Sequence, residues 1–193
     1  MTKTRLEAFS DGVIAILITI MVLELKVPQG DDWHAISAML PAFLSYTLSF
    51  AFLGIYWNNH HHLLHAAERI NGRIMWANLH LLFWLSLTPV GTAWIGEHSR
   101  SALPNAVYGG ILLAAAIAYY ILQAEILTLE GPHSRLRRAV GADLKGKVSP
   151  VLYLLGIMLA FVHPWLAEAI YVTVALMWLV PDRRIERQVD HHP

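Results

Sequence analysis

Cysteine is absent from the 193 residues, which removes disulfides and thiolate metal ligands whatever the compartment. Charge is scarce: Asp, Glu, Lys and Arg together make up 15% of the chain, against 56% hydrophobic residues. A soluble domain carries roughly a quarter of its residues charged. The formal net charge is zero, so the chain lacks the basic footprint of a nucleic-acid binder. It also lacks a phosphate-cradling glycine loop, a metalloprotease helix and a nucleophile elbow, and with them the residues of the common hydrolytic chemistries. No Thr-Val-Gly-Tyr-Gly type filter loop occurs. No internal repeat, linker or low-complexity segment divides the chain, which reads as one domain over residues 1–193.

What is present is long apolar runs. A helix needs about 20 mostly apolar residues to cross a bilayer, and Ala8 to Leu25, Ala35 to Trp57, Ile74 to Ile95 and Ala102 to Leu129 each suffice. The first has the basic start of a secretory signal, but Lys26, Val27 and Pro28 follow it instead of a small-residue cleavage site. It is therefore read as a retained span. The last apolar stretch, Val148 to Val180, is interrupted by His163 and Pro164, and proline cannot continue a helical hydrogen-bond ladder. Two short spans joined by a turn bring the total to six. One kinked helix would make it five.

The positive-inside rule chooses between these, because cytoplasmic loops collect Lys and Arg. With six spans the cytoplasmic segments hold Lys3 and Arg5, Arg69 and Arg73, the five basic residues from Arg135 to Lys147, and Arg183, Arg184 and Arg187. Only Lys26 and Arg100 lie outside. Five spans would move the last three arginines out and weaken the bias. The expected fold is thus an all-α integral membrane protein with six transmembrane helices and both termini cytoplasmic, in the cell membrane.

The first span has two faces. At about 100° per residue, Ile16, Ile20 and Leu23 fall within about 60° of one another, with Thr19 beside them. Asp11 lies about 140° and Ser10 about 120° from Ile16. Periodicity alone leaves the aliphatic stripe as lipid contact, helix packing or a functional surface. Ser10 and Asp11 are a helix cap at the interface or part of an interhelical polar network. A carboxylate near membrane depth needs a partner, and Arg5, about 120° around from Asp11, is awkwardly placed to be one.

The second span ends in Trp57-Asn58-Asn59-His60-His61-His62, with His65 one turn beyond His61. His61 and His65 have the spacing of two metal ligands, but two do not complete a site. His80 and His133 extend the count toward a haem-binding membrane redox protein without fixing a pair. The economical expectation is that Asn59, His60 or His61 meets Ser10 or Asp11 across the bundle, joined by Asn78. Gln123 and Glu125 stand isolated in the fourth span, and Pro89 is expected to kink the third.

The run Arg5-x-x-x-Phe9-Ser10-Asp11-Gly12-Val13-x-Ala15-Ile16, with Thr19 and Leu23-Glu24-Leu25, resembles the first helix of the endolysosomal potassium channel family called transmembrane protein 175. Trp57-x-Asn59-His60-His61, Asn78 and Pro89 are similar to that family's second and third helices. A single six-helix unit is similar to the prokaryotic members, whereas animal members carry two units in one chain. Val90 departs from the phenylalanine that often follows the proline. The resemblance implies a homotetramer whose first helices line a central pore, with constrictions at Ile16, Ile20 and Leu23 and the Thr19 hydroxyl beside them. It implies that Arg5, Phe9, Ser10 and Asp11 hold the first helix against its neighbours through Trp57, His60, His61 and Asn78. It further implies passive, potassium-preferring cation conduction without catalysis, metal or cofactor, the permeant ion being potassium. A secondary transporter is the competing reading, although the repeated halves and paired broken helices usual there are absent.

Overall fold

The computed structural model describes residues 2–132, 134–141 and 143–179. In chain order its helices are α1 (Lys3–Leu23), α2 (Trp33–Ala66), α3 (Gly72–Ser86), α4 (Thr88–Glu97), α5 (Ala102–Glu130), α6 (Arg135–Val140), α7 (Leu144–Ala160) and α8 (Pro164–Leu179). No strand occurs among the described residues. His133 and the arginines at 183, 184 and 187, used above in the haem and orientation arguments, lie outside the described residues.

Among the described residues, four stretches are long and apolar enough to cross a membrane: Lys3–Leu23, Trp33–Ala66, Gly72–Glu97 and Ala102–Glu130. With 21 residues, α1 is about 30 Å long, close to the thickness of a bilayer's hydrocarbon core. The third stretch is broken between α3 and α4, where Leu87 turns back to bond Trp84 through its N–H at 3.2 Å. Pro89, at the start of α4, has no N–H to offer Leu85, so the break falls where the sequence places the kink. The helix α2 runs past Trp57 to Ala66, which puts His60, His61, His62 and His65 on a continuous helix rather than in a loop.

The C-terminal apolar stretch is two helices of 17 and 16 residues, α7 and α8, separated by residues 161–163. The His163 N–H closes onto the Leu159 carbonyl at 2.8 Å, and Pro164 then opens α8, the position where a missing N–H costs nothing.

Two apolar cores hold the bundle. Ile14, Met21, Leu53, Ile74, Leu81 and Leu122 centre the first, which joins α1, α2, α3 and α5. The second joins α2, α4, α5, α7 and α8 around Phe52, Tyr108, Leu112, Tyr153 and Tyr171. Between membrane helices, close approach comes from small residues rather than from apolar burial as such. Tyr171 shows it: its ring lies against Gly109 of α5 and Gly156 of α7, and its hydroxyl donates to the Asn105 carbonyl at 3.0 Å. A methyl added at Gly109 would run into the Tyr171 hydroxyl and ring, while at neighbouring Gly110 it would meet nothing within 4 Å. Gly109→Ala should therefore lower the melting temperature of the purified protein, by an overpacking cost on the order of 1–3 kcal/mol. Gly110→Ala should leave it unchanged. Equal melting curves for the two variants would contradict this packing.

Polar ties gather at both ends. At one end the Lys3 ammonium donates to the His65 carbonyl at 2.7 Å, and the Glu130 carboxylate accepts the backbone N–H groups of Glu68 and Arg69 at 2.8 and 3.3 Å. The start of α1, the end of α2 and the end of α5 are thereby tied together. At the other end Lys26 pairs with Glu97, which ties the exit of α1 to the end of α4.

Candidate ion pathway and its supporting polar network

The face of α1 turned into the bundle carries Leu6, Ser10, Ile14, Leu17 and Met21, all buried. The opposite face carries Arg5, Phe9, Gly12, Ile16, Thr19, Ile20 and Leu23, all exposed. Ile16 is 57% exposed, Ile20 40% and Leu23 79%, whereas Ile14 is fully buried. The aliphatic stripe read from the sequence is thus the side of α1 that none of the described residues covers. The Thr19 hydroxyl donates back to the Ile16 carbonyl at 2.9 Å, leaving its lone pairs on the stripe side.

Behind this helix runs a chain of buried hydrogen bonds. The Ser10 hydroxyl donates to the Leu6 carbonyl at 2.9 Å, so its oxygen is left to accept from the Asn78 side-chain amide at 2.9 Å. The carbonyl oxygen of the same amide then faces His60 Nε2 at 2.6 Å. That ring nitrogen must be the donor, since Asn78 Oδ1 can only accept. Donors therefore run in one direction, from α2 through α3 to α1. Ser10, Asn78 and His60 are all essentially inaccessible to solvent. A second tie lies nearer the surface, where the Trp57 indole N–H donates to the Asp11 carboxylate at 3.0 Å.

Other expected members of the network lie elsewhere within the chain. Arg5 and Phe9 fall about 20° on either side of Ile16, and both are on the exposed face of α1. Asn59 turns to its own helix, donating to the Ile55 carbonyl at 2.9 Å, and its backbone carbonyl accepts from Tyr119 at 3.1 Å. The His61 ring is sandwiched between Trp57 and His65, with centroids 6.0 Å away on each side, and does not reach α1. The reason is angular: residues 59 and 61 stand about 100° to either side of residue 60 on one helix, so only one of the three can face α1. Among the described residues no three His, Asp or Glu side chains converge as a metal site would require. The His80 ring accepts the Trp84 indole N–H at 2.9 Å.

A second buried polar cluster had weaker sequence signals. Thr92 donates to Ser49 at 2.6 Å, and Ser49 bonds the Tyr108 hydroxyl at 2.8 Å, linking α4, α2 and α5. The only sequence sign was a hydroxyl residue inside each apolar run. Gln123, isolated in sequence, donates to the Asp143 carboxylate at 2.9 Å.

These arrangements coincide with what is similar elsewhere. The sequence model described as "Endosomal/lysosomal potassium channel TMEM175" matches residues 5–89. A potassium channel of Chryseobacterium sp. (strain P1-3) is 53% identical over 189 residues, covering 98% of each chain. The chain belongs to the TMEM175 potassium-channel family. The crystal structure of a lysosomal potassium-selective channel TMEM175 homolog from Chamaesiphon minutus superposes with a TM-score of 0.81 at 31% identity, over 92% of this chain and 96% of that one. The human endosomal/lysosomal proton channel TMEM175 is 38% identical over 115 residues, which are 53% of this chain and 22% of the human protein. The TMEM175 match at residues 5–89 takes in both faces of α1 and the His60–Asn78–Ser10 chain, while α5 to α8 lie beyond it.

Beyond the C-terminal end of α1, Lys26 and Glu97 shift each other. The hydrogen-bonded Glu97 carboxylate raises the Lys26 ammonium above its ordinary value, and Lys26 holds Glu97 below its own. The pair's contribution is thus present at neutral pH, is lost as acid protonates Glu97 below the usual carboxylate range, and is lost in base only above the usual lysine range. Both groups are exposed, so the effect is small and screened by salt. Glu97→Gln should abolish the acid-side loss of thermal stability that this pair supplies, and high salt should mimic the substitution. An acid profile unchanged by Glu97→Gln would remove the pair from the account.

Proposed function

We propose that the protein is a potassium-preferring cation channel that conducts passively through a homotetramer, with six spans per subunit and both termini cytoplasmic in the cell membrane. The observation that carries this reading is the division of α1 between a face fixed by buried hydrogen bonds and a bare face bearing Ile16, Thr19, Ile20 and Leu23. One copy of such a stripe encloses nothing, but four around an axis enclose a path. Rings of aliphatic side chains hold ions back by dewetting and admit them on widening. Potassium as the permeant ion rests on the names of the relatives. The buried chain from His60 to Ser10 sets the rotation of α1, and Arg5 and Phe9, exposed within one subunit, make their contacts with neighbouring copies.

Purified protein in liposomes should pass potassium down its gradient faster than sodium, without saturation or coupling to a second solute, and should have the mass of a tetramer. A conducting monomer, or flux strictly coupled to a second solute, would refute the proposal. A pH-sensitive dye in the same vesicles measures proton flux, the activity in the human relative's name.

A further inference from the structure

The face of the bundle away from α1 holds a cavity of about 40 Å³ between α2, α5, α7 and α8. Its walls are largely aromatic, including Tyr56, Tyr119, Tyr153 and Trp178, with Asn59 and the Asp143 carboxylate as polar members. Genuinely empty cavities are apolar, whereas this one has phenol, amide and carboxylate groups in its walls.

Three features point the same way. Tyr153 is 2% exposed and lines the cavity, yet its hydroxyl and that of Tyr56 form no hydrogen bond among the described residues. Their hydrogen-bonding capacity is unused by the described residues. Asp143 stands in a left-handed conformation, φ 40°, in front of α7. There it accepts the Gly146 N–H at 3.1 Å and the Gln123 amide at 2.9 Å. Two carboxylate oxygens offer about four acceptor positions, so acceptor capacity remains. Finally, the Lys145 ammonium sits 6.0 Å from the centroid of the Trp178 ring, so the chain itself already sets an ammonium against a wall residue of this cavity.

An aromatic enclosure with one carboxylate is the arrangement that recognises ammonium groups, through the negative ring faces and one countercharge. The walls carry a single carboxylate beside neutral phenol, hydroxyl and amide groups, and comparison with potassium separates an ammonium group from an inorganic cation. We propose that this cavity binds the head of a small organic ammonium compound, its N–H groups donating to Asp143 and its alkyl portion against the tyrosine and tryptophan rings. Asn59 lines the cavity and the next residue, His60, opens the hydrogen-bond chain to α1. Occupancy would therefore brace the helix that holds the pore-side helix in place.

The probe is methylammonium chloride, titrated onto the full-length protein in lipid nanodiscs, with potassium chloride at matched ionic strength as comparison. Tryptophan fluorescence should change saturably with methylammonium and not with potassium. The change should vanish in Trp178→Phe, which keeps an aromatic wall. Asp143→Asn, which tolerates the left-handed conformation and still caps α7, should weaken the apparent affinity at least tenfold, and Tyr153→Phe should weaken it less. Melting curves establish that each variant is folded, and a variant that is not is replaced by Gln123→Leu, which should also weaken binding by removing a support of Asp143. The proposal fails if Asp143→Asn binds as the parent does, which would put the ligand elsewhere, such as the pore. It fails equally if potassium gives the same saturable change, or if methylammonium gives none.

Discussion

Ile16→Asn should increase ion conductance by roughly an order of magnitude, the factor that about 1.4 kcal/mol off a barrier gives. Ile16 stands at the middle of the bare face of α1, 57% exposed in the single chain. In the proposed tetramer it forms the narrowest ring, with Ile20 and Leu23 stacked beyond it. Four amides in place of four sec-butyl groups lower the cost of wetting the constriction and offer oxygens in place of hydration water. Discrimination between potassium and sodium should fall if the ring contributes to it. Ile20→Asn and Leu23→Asn should act in the same direction. A fair comparison is Val151→Asn, because Val151 is 66% exposed on α7, away from α1, and should leave conductance unchanged. Ile14→Asn tests something else. Ile14 is fully buried among α1, α2, α3 and α5, so an amide there damages the fold before it reaches any pathway. The measurement is current or flux through purified channels in lipid at equal protein density. If the three stripe variants behave as the parent does while Val151→Asn opens a pathway, the conducting surface is not this face of α1.

The two-faced character of α1 was legible because one helix repeats its geometry at a fixed angle, so the residues on the Ile16 side can be computed without neighbours. The same arithmetic places Arg5 and Phe9 on the Ile16 side, and the structure exposes both there. Partner choice between helices was legible only in part. Sequence brought Ser10, Asn78 and the Asn59–His61 group to one level of the bundle, but which residue of the three faces α1 depends on the rotation of α2. That rotation is set by packing of Phe52, Leu53, Leu63 and Leu64, spread over turns that carry no visible period in an apolar helix. The Gln123–Asp143 bond was beyond reach for another reason. Asp143 lies in a short connection whose left-handed backbone aims its carboxylate back at α5, and nothing local announces that conformation. Breaks in the helices were clearer, since the missing N–H of Pro89 and of Pro164 acts locally.

The largest loss of stability from a single polar substitution should come from Asn78→Leu. Asn78 joins α3 to two other helices through its side chain, accepting from His60 and donating to Ser10. Leucine has nearly the same size, so packing changes little, but it leaves the His60 N–H without an acceptor and the Ser10 oxygen without a donor in fully buried positions. An orphaned buried group costs about 1–3 kcal/mol. Interhelical hydrogen bonds in membrane proteins average nearer 0.6 kcal/mol, because the unfolded chain in lipid also finds partners. Loss of two bonds in one step, with α1 and α2 both released from α3, favours the upper part of that range. For a chain of this size each kcal/mol shifts the melting temperature by about 2–4 °C, so a fall of at least 4 °C is expected. Asp11→Ala should cost less, because Asp11 is only partly buried and its donor Trp57 is 45% exposed. Asn78→Asp should fall between the two: its carboxylate still accepts from His60 and can accept from a reoriented Ser10 hydroxyl, at the expense of the Leu6 carbonyl. In the proposed tetramer this chain of bonds sets which face of α1 meets other copies, so Asn78→Leu should also lower the tetramer fraction before it alters the ion preference of the channels that remain. Melting curves and mass measurements on the three variants check the order. If Asn78→Leu melts with the parent, or if Asp11→Ala is the most damaging of the three, the buried chain from His60 to Ser10 is not what fixes α1.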